Sequence, residues 1–135
     1  MPGQTDNNLA EIHYFWRMAR SNRERLKVGI SIGDLNGIGA EVVFKTFMDP
    51  RMFEICTPVV YGSSRALNAY RKQLGFQEIN LHVVKDASKL NAKRINVVET
   101  GEERVPLALG EPSKETGAMA FASLKKATED LAVNH

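Results

Sequence analysis

The stretch Gly33-Asp34-Leu35-Asn36-Gly37-Ile38-Gly39-Ala40-Glu41 brings three glycines, an Asp and an Asn together directly after the apolar run Leu26-Lys27-Val28-Gly29-Ile30-Ser31-Ile32. A strand that empties into a glycine turn and then a helix gathers unpaired N–H groups and short polar side chains at one point, where α/β proteins often build ligand sites. Asp34 and Asn36 can hydrogen-bond their own turn backbone, and the glycines permit positive φ or close approach. Gly33, Asp34, Asn36, Gly37 and Gly39 are therefore the site-proximal candidates. The spacing is not the dinucleotide fingerprint, and no Gly-Lys-Ser/Thr follows to make a P-loop. The bland alternative is that the glycines simply make a tight strand-to-helix connection.

Other chemistry is sparse. His13, His82 and His135 are far apart and form no metal motif, and His82 sits in a strand pattern as a structural or surface residue. Glu41 falls where its charge favours a helix amino terminus, and Ser63-Ser64 reads as a helix cap in preference to a phosphate site. No catalytic dyad or triad and no metal ligand is assigned. Cys56, the single cysteine, reads as a buried thiol in or beside a strand, which excludes an intramolecular disulfide and points to the cytoplasm.

The elements that must position the loop follow from periodicity. Residues 1–25 form a polar and basic leader in which Ile12, Phe15, Trp16 and Ala19 recur at helical spacing, a stripe expected to pack on protein. Alternation predicts a strand over 26–32, a helix from Ala40 to Met48 stopped by Asp49-Pro50, and a strand from about Ile55 to Tyr61. A helix carrying Leu67, Tyr70, Arg71 and Leu74 should end at Gly75, and strands are expected at 79–84 and 94–98. After a turn at Gly101-Glu102-Glu103-Arg104 and an apolar segment at 105–109, Gly110-Glu111-Pro112-Ser113 announces a last helix capped by Ser113. Its expected packing face is Ala118, Phe121, Ala122, Leu124, Thr128 and Leu131, with Gly117 allowing an unusually close contact. Strand–helix alternation argues for an α/β fold, a three-layer sheet-and-helix lobe with a mostly parallel sheet, the later short strands parallel or antiparallel.

At 135 residues, 43% hydrophobic and 25% charged, the chain can make one modest core or one lobe of a larger enzyme. The net charge of +2 resides in the leader up to Lys27, and no zinc-finger or aromatic-basic pattern supports nucleic-acid binding. No apolar run is long enough to cross a bilayer, so neither nucleic acid nor membrane is an expected partner.

Val28 to Asp34, followed by Asn36-Gly37-Ile38-Gly39 and Glu41, resembles the opening strand, glycine loop and first helix of the 4-hydroxythreonine-4-phosphate dehydrogenase family of pyridoxal phosphate biosynthesis. Gly110-Glu111-Pro112-Ser113-Lys114-Glu115-Thr116-Gly117, continuing through Ala120 and Ala127, is similar to the family's segment that introduces its next helix. The resemblance covers 26–135, a partial amino-terminal dehydrogenase lobe. Leu35-Asn36 stands where many members have proline-alanine, and Ala40 where proline is frequent. It implies a fold like that of the isocitrate and isopropylmalate dehydrogenases. It also implies a homodimeric parent enzyme that oxidises a phosphorylated hydroxy amino acid, then decarboxylates it, using NAD or a related nicotinamide cofactor and a divalent cation. The family's metal-binding histidines and principal substrate residues would lie beyond His135, so the isolated chain should be inactive. A related phosphorylated hydroxy-acid dehydrogenase is the enzyme alternative, and a noncatalytic α/β interaction domain using the leader stripe is the other.

Overall fold

The computed structural model describes residues 9–15, 25–101 and 108–133. Its strands are β1 (Leu26–Ser31), β2 (Cys56–Gly62), β3 (Leu81–Val84) and β4 (Ile95–Glu99). Its helices are α1 (residues 9–15), α2 (Gly39–Phe47), α3 (Met52–Ile55), α4 (Ser64–Gln73) and α5 (Lys114–Ala132). The strands form one sheet of order β1-β2-β4-β3, and every neighbouring pair is parallel, including the short later strands.

All seven residues of β2 are buried, as are the first four of β4, which is the pattern of a parallel sheet covered on both faces. Val60, Ile95 and Val97 point into a core shared with Phe44 of α2 and Leu67 and Tyr70 of α4. Val59, Tyr61 and Val98 form a second cluster that Ala127 of α5 joins. Period-two alternation therefore supplies two apolar faces, with α2 and α4 on one and α5 on the other. Pro58 is tolerated in the central strand β2 because pairing with β4 begins one residue later, at Val59. The Pro58 carbonyl accepts from the fully buried Asn96 side chain at 3.1 Å, and that same amide group also ties down the carbonyls of Asn91 and Arg94.

The structure adds and corrects. Asp49-Pro50 ends α2, but the chain then makes the extra turn α3 before β2, and β3 starts two residues later than the periodicity suggests. Residues 9–15 are helical, yet Leu9, Ile12, Tyr14 and Phe15 are all exposed, so this part of the leader does not pack on the body. Trp16 and Ala19 lie outside the described residues, as do 102–107, which hold most of the expected turn and apolar segment.

The largest correction concerns α5. Its buried residues are Thr116, Ser123 and Asp130, with Met119 and Ala127 packed beside them, whereas Phe121, Leu124 and Leu131 are 69%, 56% and 75% exposed. Polar groups on the sheet dictate this choice of face. Ser123 Oγ accepts from Ile32 N at 3.1 Å and donates to the Tyr61 carbonyl, while the Tyr61 hydroxyl donates to Asp130 Oδ2 at 2.9 Å. Lys126 pairs with the other oxygen of Asp130 at 2.9 Å. An apolar residue at 130 would strand the Tyr61 hydroxyl, a cost of about 1–3 kcal/mol, and one at 123 would leave Ile32 N and the Tyr61 carbonyl only their direct bond of 3.3 Å. Gly117 makes no close contact either, since a Cβ there would meet nothing within 4 Å.

Two outcomes follow. Gly117→Ala removes backbone entropy from the unfolded chain at an open helical position and should stabilise the protein by about 0.5–1 kcal/mol in urea unfolding. An unchanged or lowered midpoint would contradict the open geometry. Burial first, and the Asp130 hydrogen bond second, hold the Tyr61 hydroxyl well above the ordinary tyrosine value of 10.0. The protonated form is the one favoured by folding, so this contribution is intact below pH 10.0 and is lost as the pH rises above it. Tyr61→Phe should therefore flatten the alkaline decline of the unfolding midpoint; a decline as steep as the parent's would contradict the assignment.

Candidate functional site

In an open parallel sheet the connections at the carboxyl ends of the strands surround the ligand crevice. Here those connections are Ile32–Ile38 after β1, Ser63 after β2, residues 85–94 after β3, and the segment after β4, of which Thr100, Gly101 and 108–113 are described. Those after β1, β2 and β4 are joined by hydrogen bonds. Thr100 N donates to the Gly62 carbonyl at 3.2 Å. Ser63 caps α4 by accepting from Ala66 N at 3.3 Å, and Glu99 Oε1 accepts from Ser64 N at 2.9 Å. The amino terminus of α4 at Ser63-Ser64 is thus occupied by the protein's own carboxylate.

The glycine loop has a divided labour. Asp34 Oδ1 accepts from Asn36 N at 2.9 Å, the expected turn made by an acidic side chain on its own backbone. Asn36 does something different from the expectation, because its side chain leaves the turn altogether. Its amide donates to the Glu111 carbonyl at 2.6 Å, its oxygen accepts from Ala108 N at 2.9 Å, and its own carbonyl accepts from Gly110 N at 2.7 Å. Asn36 is 4% exposed, so these bonds are sheltered and join two segments more than seventy residues apart. Sequence reading could not see this, since Asn in a turn most simply serves that turn.

The glycines are required for two separate reasons. Gly33 has φ +71°, a backbone region that L side chains rarely adopt. At Gly39 the obstacle is space, because a Cβ would stand 2.5 Å from the Ile32 carbonyl oxygen. This close approach lets α2 start directly over the end of β1. Ile38 supplies no side-chain cap, so the first-turn N–H groups of α2 open toward the loop. Glu41 lies in that first turn and pairs with Lys45 at 2.9 Å.

A cavity of ≈ 280 Å³ lies beside the loop, lined by Asn36 to Ile38, Ala40 and Glu41 from one side and by Tyr70, Leu74, Leu109 and Gly110 from the other. Tyr70 was visible in the sequence only as part of a helix face. A larger cavity of ≈ 570 Å³ sits among Phe47, Phe53, Phe76, Lys93 and Arg94, at the amino ends of the strands and away from the glycine loop. Among the described residues no three His, Cys, Asp or Glu side chains converge as a metal site. Burial holds the Cys56 thiol above its usual range, which suits packing and not nucleophilic chemistry. No described helix is long and apolar enough to cross a membrane.

The profile of the family described as pyridoxal phosphate biosynthetic protein PdxA matches residues 54–135. The chain belongs to this family. A 4-hydroxythreonine-4-phosphate dehydrogenase of Bacteroides thetaiotaomicron is 39% identical over 106 residues, which are 78% of this chain and 29% of that protein. The namesake enzyme of Prosthecochloris aestuarii is 34% identical over 72% of this chain and 30% of its own length. A Clostridium botulinum protein provisionally named D-threonate 4-phosphate dehydrogenase is 28% identical over 76% of this chain and 31% of its own. Among solved structures, a 4-hydroxythreonine-4-phosphate dehydrogenase from Burkholderia phymatum superposes with a TM-score of 0.75 at 27% identity, covering 83% of this chain and 34% of that one. The chain therefore spans about a third of the length of the PdxA relatives it matches. Its parallel α/β sheet is the family's fold over that part.

Asn36→Ala should destabilise the chain by about 2 kcal/mol, because it leaves Ala108 N and the Glu111 carbonyl without their partner. Amide exchange at Ala108 and Gly110 should accelerate selectively. Gly39→Ala, which improves helix propensity, should nevertheless cost at least about 2 kcal/mol through its clash with the Ile32 carbonyl. A neutral or stabilising Gly39→Ala would refute the close approach of α2 to β1.

Proposed function

We propose that residues 26–135 are the opening lobe of a dehydrogenase that oxidises a phosphorylated hydroxy amino acid, 4-hydroxythreonine 4-phosphate, at its secondary alcohol. When bound to the complete enzyme, a nicotinamide cofactor would supply the oxidant for that alcohol, and loss of carbon dioxide from the 3-oxo acid would leave an amino-ketone phosphate. The enzyme works in the cytoplasm as a homodimer with a fold of the isocitrate and isopropylmalate dehydrogenase type. The observation that carries this reading is the Asn36 staple, which holds the glycine loop against Gly110 and Glu111, the start of the second family-like stretch 110–117, at the carboxyl ends of the strands.

In this proposal Gly33, Asp34, Asn36, Gly37 and Gly39 shape one wall of the substrate and cofactor cleft, without acting as acid or base. The described residues do not fit a divalent cation, and the loop lacks the dinucleotide fingerprint. In this reading hydride transfer and proton handling are assigned to groups other than the described residues, a division of labour between a shaping lobe here and a reactive lobe in the remainder of the complete enzyme. The Clostridium botulinum relative favours a second substrate, D-threonate 4-phosphate, which shares the phosphate and the secondary alcohol.

The purified chain should produce no NADH from either substrate in the presence of divalent cation. A chimera that continues this chain into the remainder of the Bacteroides relative should produce it from one of them, and the preferred substrate assigns the reading. Metal-dependent oxidation by the chain alone, with host enzyme excluded, would sink the division of labour. A folded chimera that oxidises neither substrate would sink the dehydrogenase reading.

A further inference from the structure

Two helices of this chain present apolar side chains to solvent along one side. On α5 these are Phe121, Leu124 and Leu131, left outside because Ser123 and Asp130 hold the other side against the sheet. On α1 they are Leu9, Ile12 and Phe15. Single exposed apolar residues are ordinary, but two such stripes on one chain mark surfaces that a partner covers.

The stripes match in form. Leu9, Ile12 and Phe15 are three residues apart along α1, and Phe121 and Leu124 have the same spacing, which continues through Thr128 to Leu131. Positions three and four apart are the ones that interlock when two helices pack side by side. The flanking charges are opposite in sign. Glu11 adjoins Ile12, whereas Lys125 adjoins Leu124 and holds Glu129 only at 3.9 Å.

Their location narrows the choice of partner. Thr128 and Leu131 share a cavity of ≈ 180 Å³ with Lys27 and Gly29, so the α5 stripe runs beside β1. Among the described strands β1 has a neighbour on one side only, and natural sheets blunt such an edge by laying a helix over it. Residues 16–24 give α1 a reach of about 30 Å from Arg25, yet within one copy both stripes stay exposed. Reciprocal exchange between two copies covers both stripes at once, and a two-fold axis closes the assembly with no stripe left over for further growth.

We propose that the chain pairs with a second copy of itself, α1 of each copy lying along Phe121, Leu124 and Leu131 on α5 of the other. Because α1 lies outside the family-like stretch 26–135, this goes beyond the dehydrogenase reading, and either can fail without the other.

The test is sedimentation equilibrium of the full chain at about 0.1 mM, where weak interfaces assemble. The parent should sediment at twice its 15.0 kDa mass. Ile12→Asp alters only the α1 stripe and Leu124→Lys only the α5 stripe, and each should raise the dissociation constant at least about tenfold. Mixing the two variants should restore a dimer, since the intact α5 of the first receives the intact α1 of the second and the other contact sets Asp against Lys. Both positions are exposed, so the fold should survive. Should either variant lose its helical circular dichroism, Leu9→Asp and Phe121→Lys replace the pair. A parent of any mass other than the dimer's, a dimer that survives either substitution, or variants that stay monomeric when mixed would each overturn the proposal.

Discussion

The rest of the structure depends on the two hydrogen bonds of Ser123. At the end of β1 the strand leaves the sheet to form the glycine loop, and the Ile32 N–H and the Tyr61 carbonyl meet there in a buried environment. A direct bond between them spans 3.3 Å, and the Ser123 hydroxyl serves both. Because that hydroxyl belongs to α5, satisfying the sheet also fixes where α5 lies. Asp130, two turns further on, receives the Tyr61 hydroxyl and sets the rotation of the helix at a second point.

Such an attachment trades apolar burial for geometric definition. A greasy helix face could slide or rotate over β1 and β2 with little change in energy, whereas Ser123 and Asp130 have one register in which their partners are reached. The consequence is visible on the opposite side of α5, where Phe121, Leu124 and Leu131 remain exposed. With α5 held in this register, the segment leading into it passes close enough for Asn36 to grasp Ala108, Gly110 and Glu111. The site is therefore assembled from both faces of the sheet, the glycine loop and α2 from one side and the approach to α5 from the other.

Electrostatics at this end of the sheet are equally constrained. One helix amino terminus, that of α4, is already neutralised by Glu99. The other, that of α2, has no side-chain cap and opens beside a cavity lined by Glu41, whose carboxylate is paired with Lys45. Among the described residues no three His, Cys, Asp or Glu side chains converge at this end of the sheet. The family relationship extends over about a third of each relative's length.

Much of the architecture was legible before the structure. Alternation in Leu26–Ile32 and in the run to Tyr61 marked strands because period two is a local property, and Gly75, Ser63 and Ser113 marked helix ends because caps act within one turn. The need for glycine at Gly33 was also local, a matter of its own φ. The buried face of α5 was not legible, since reading Phe121, Leu124 and Leu131 as core assumes that hydrophobicity alone chooses the face. What Ser123 and Asp130 would meet depended on strand ends more than sixty residues away. Asn36 was undecided for the same reason, because its partners at Ala108 and Glu111 come within reach only once the sheet order is set. The sequence by itself determined most of the elements, several of their ends and the family; tertiary structure decided which polar side chains join them, because a buried hydrogen bond depends on where both of its atoms finally lie.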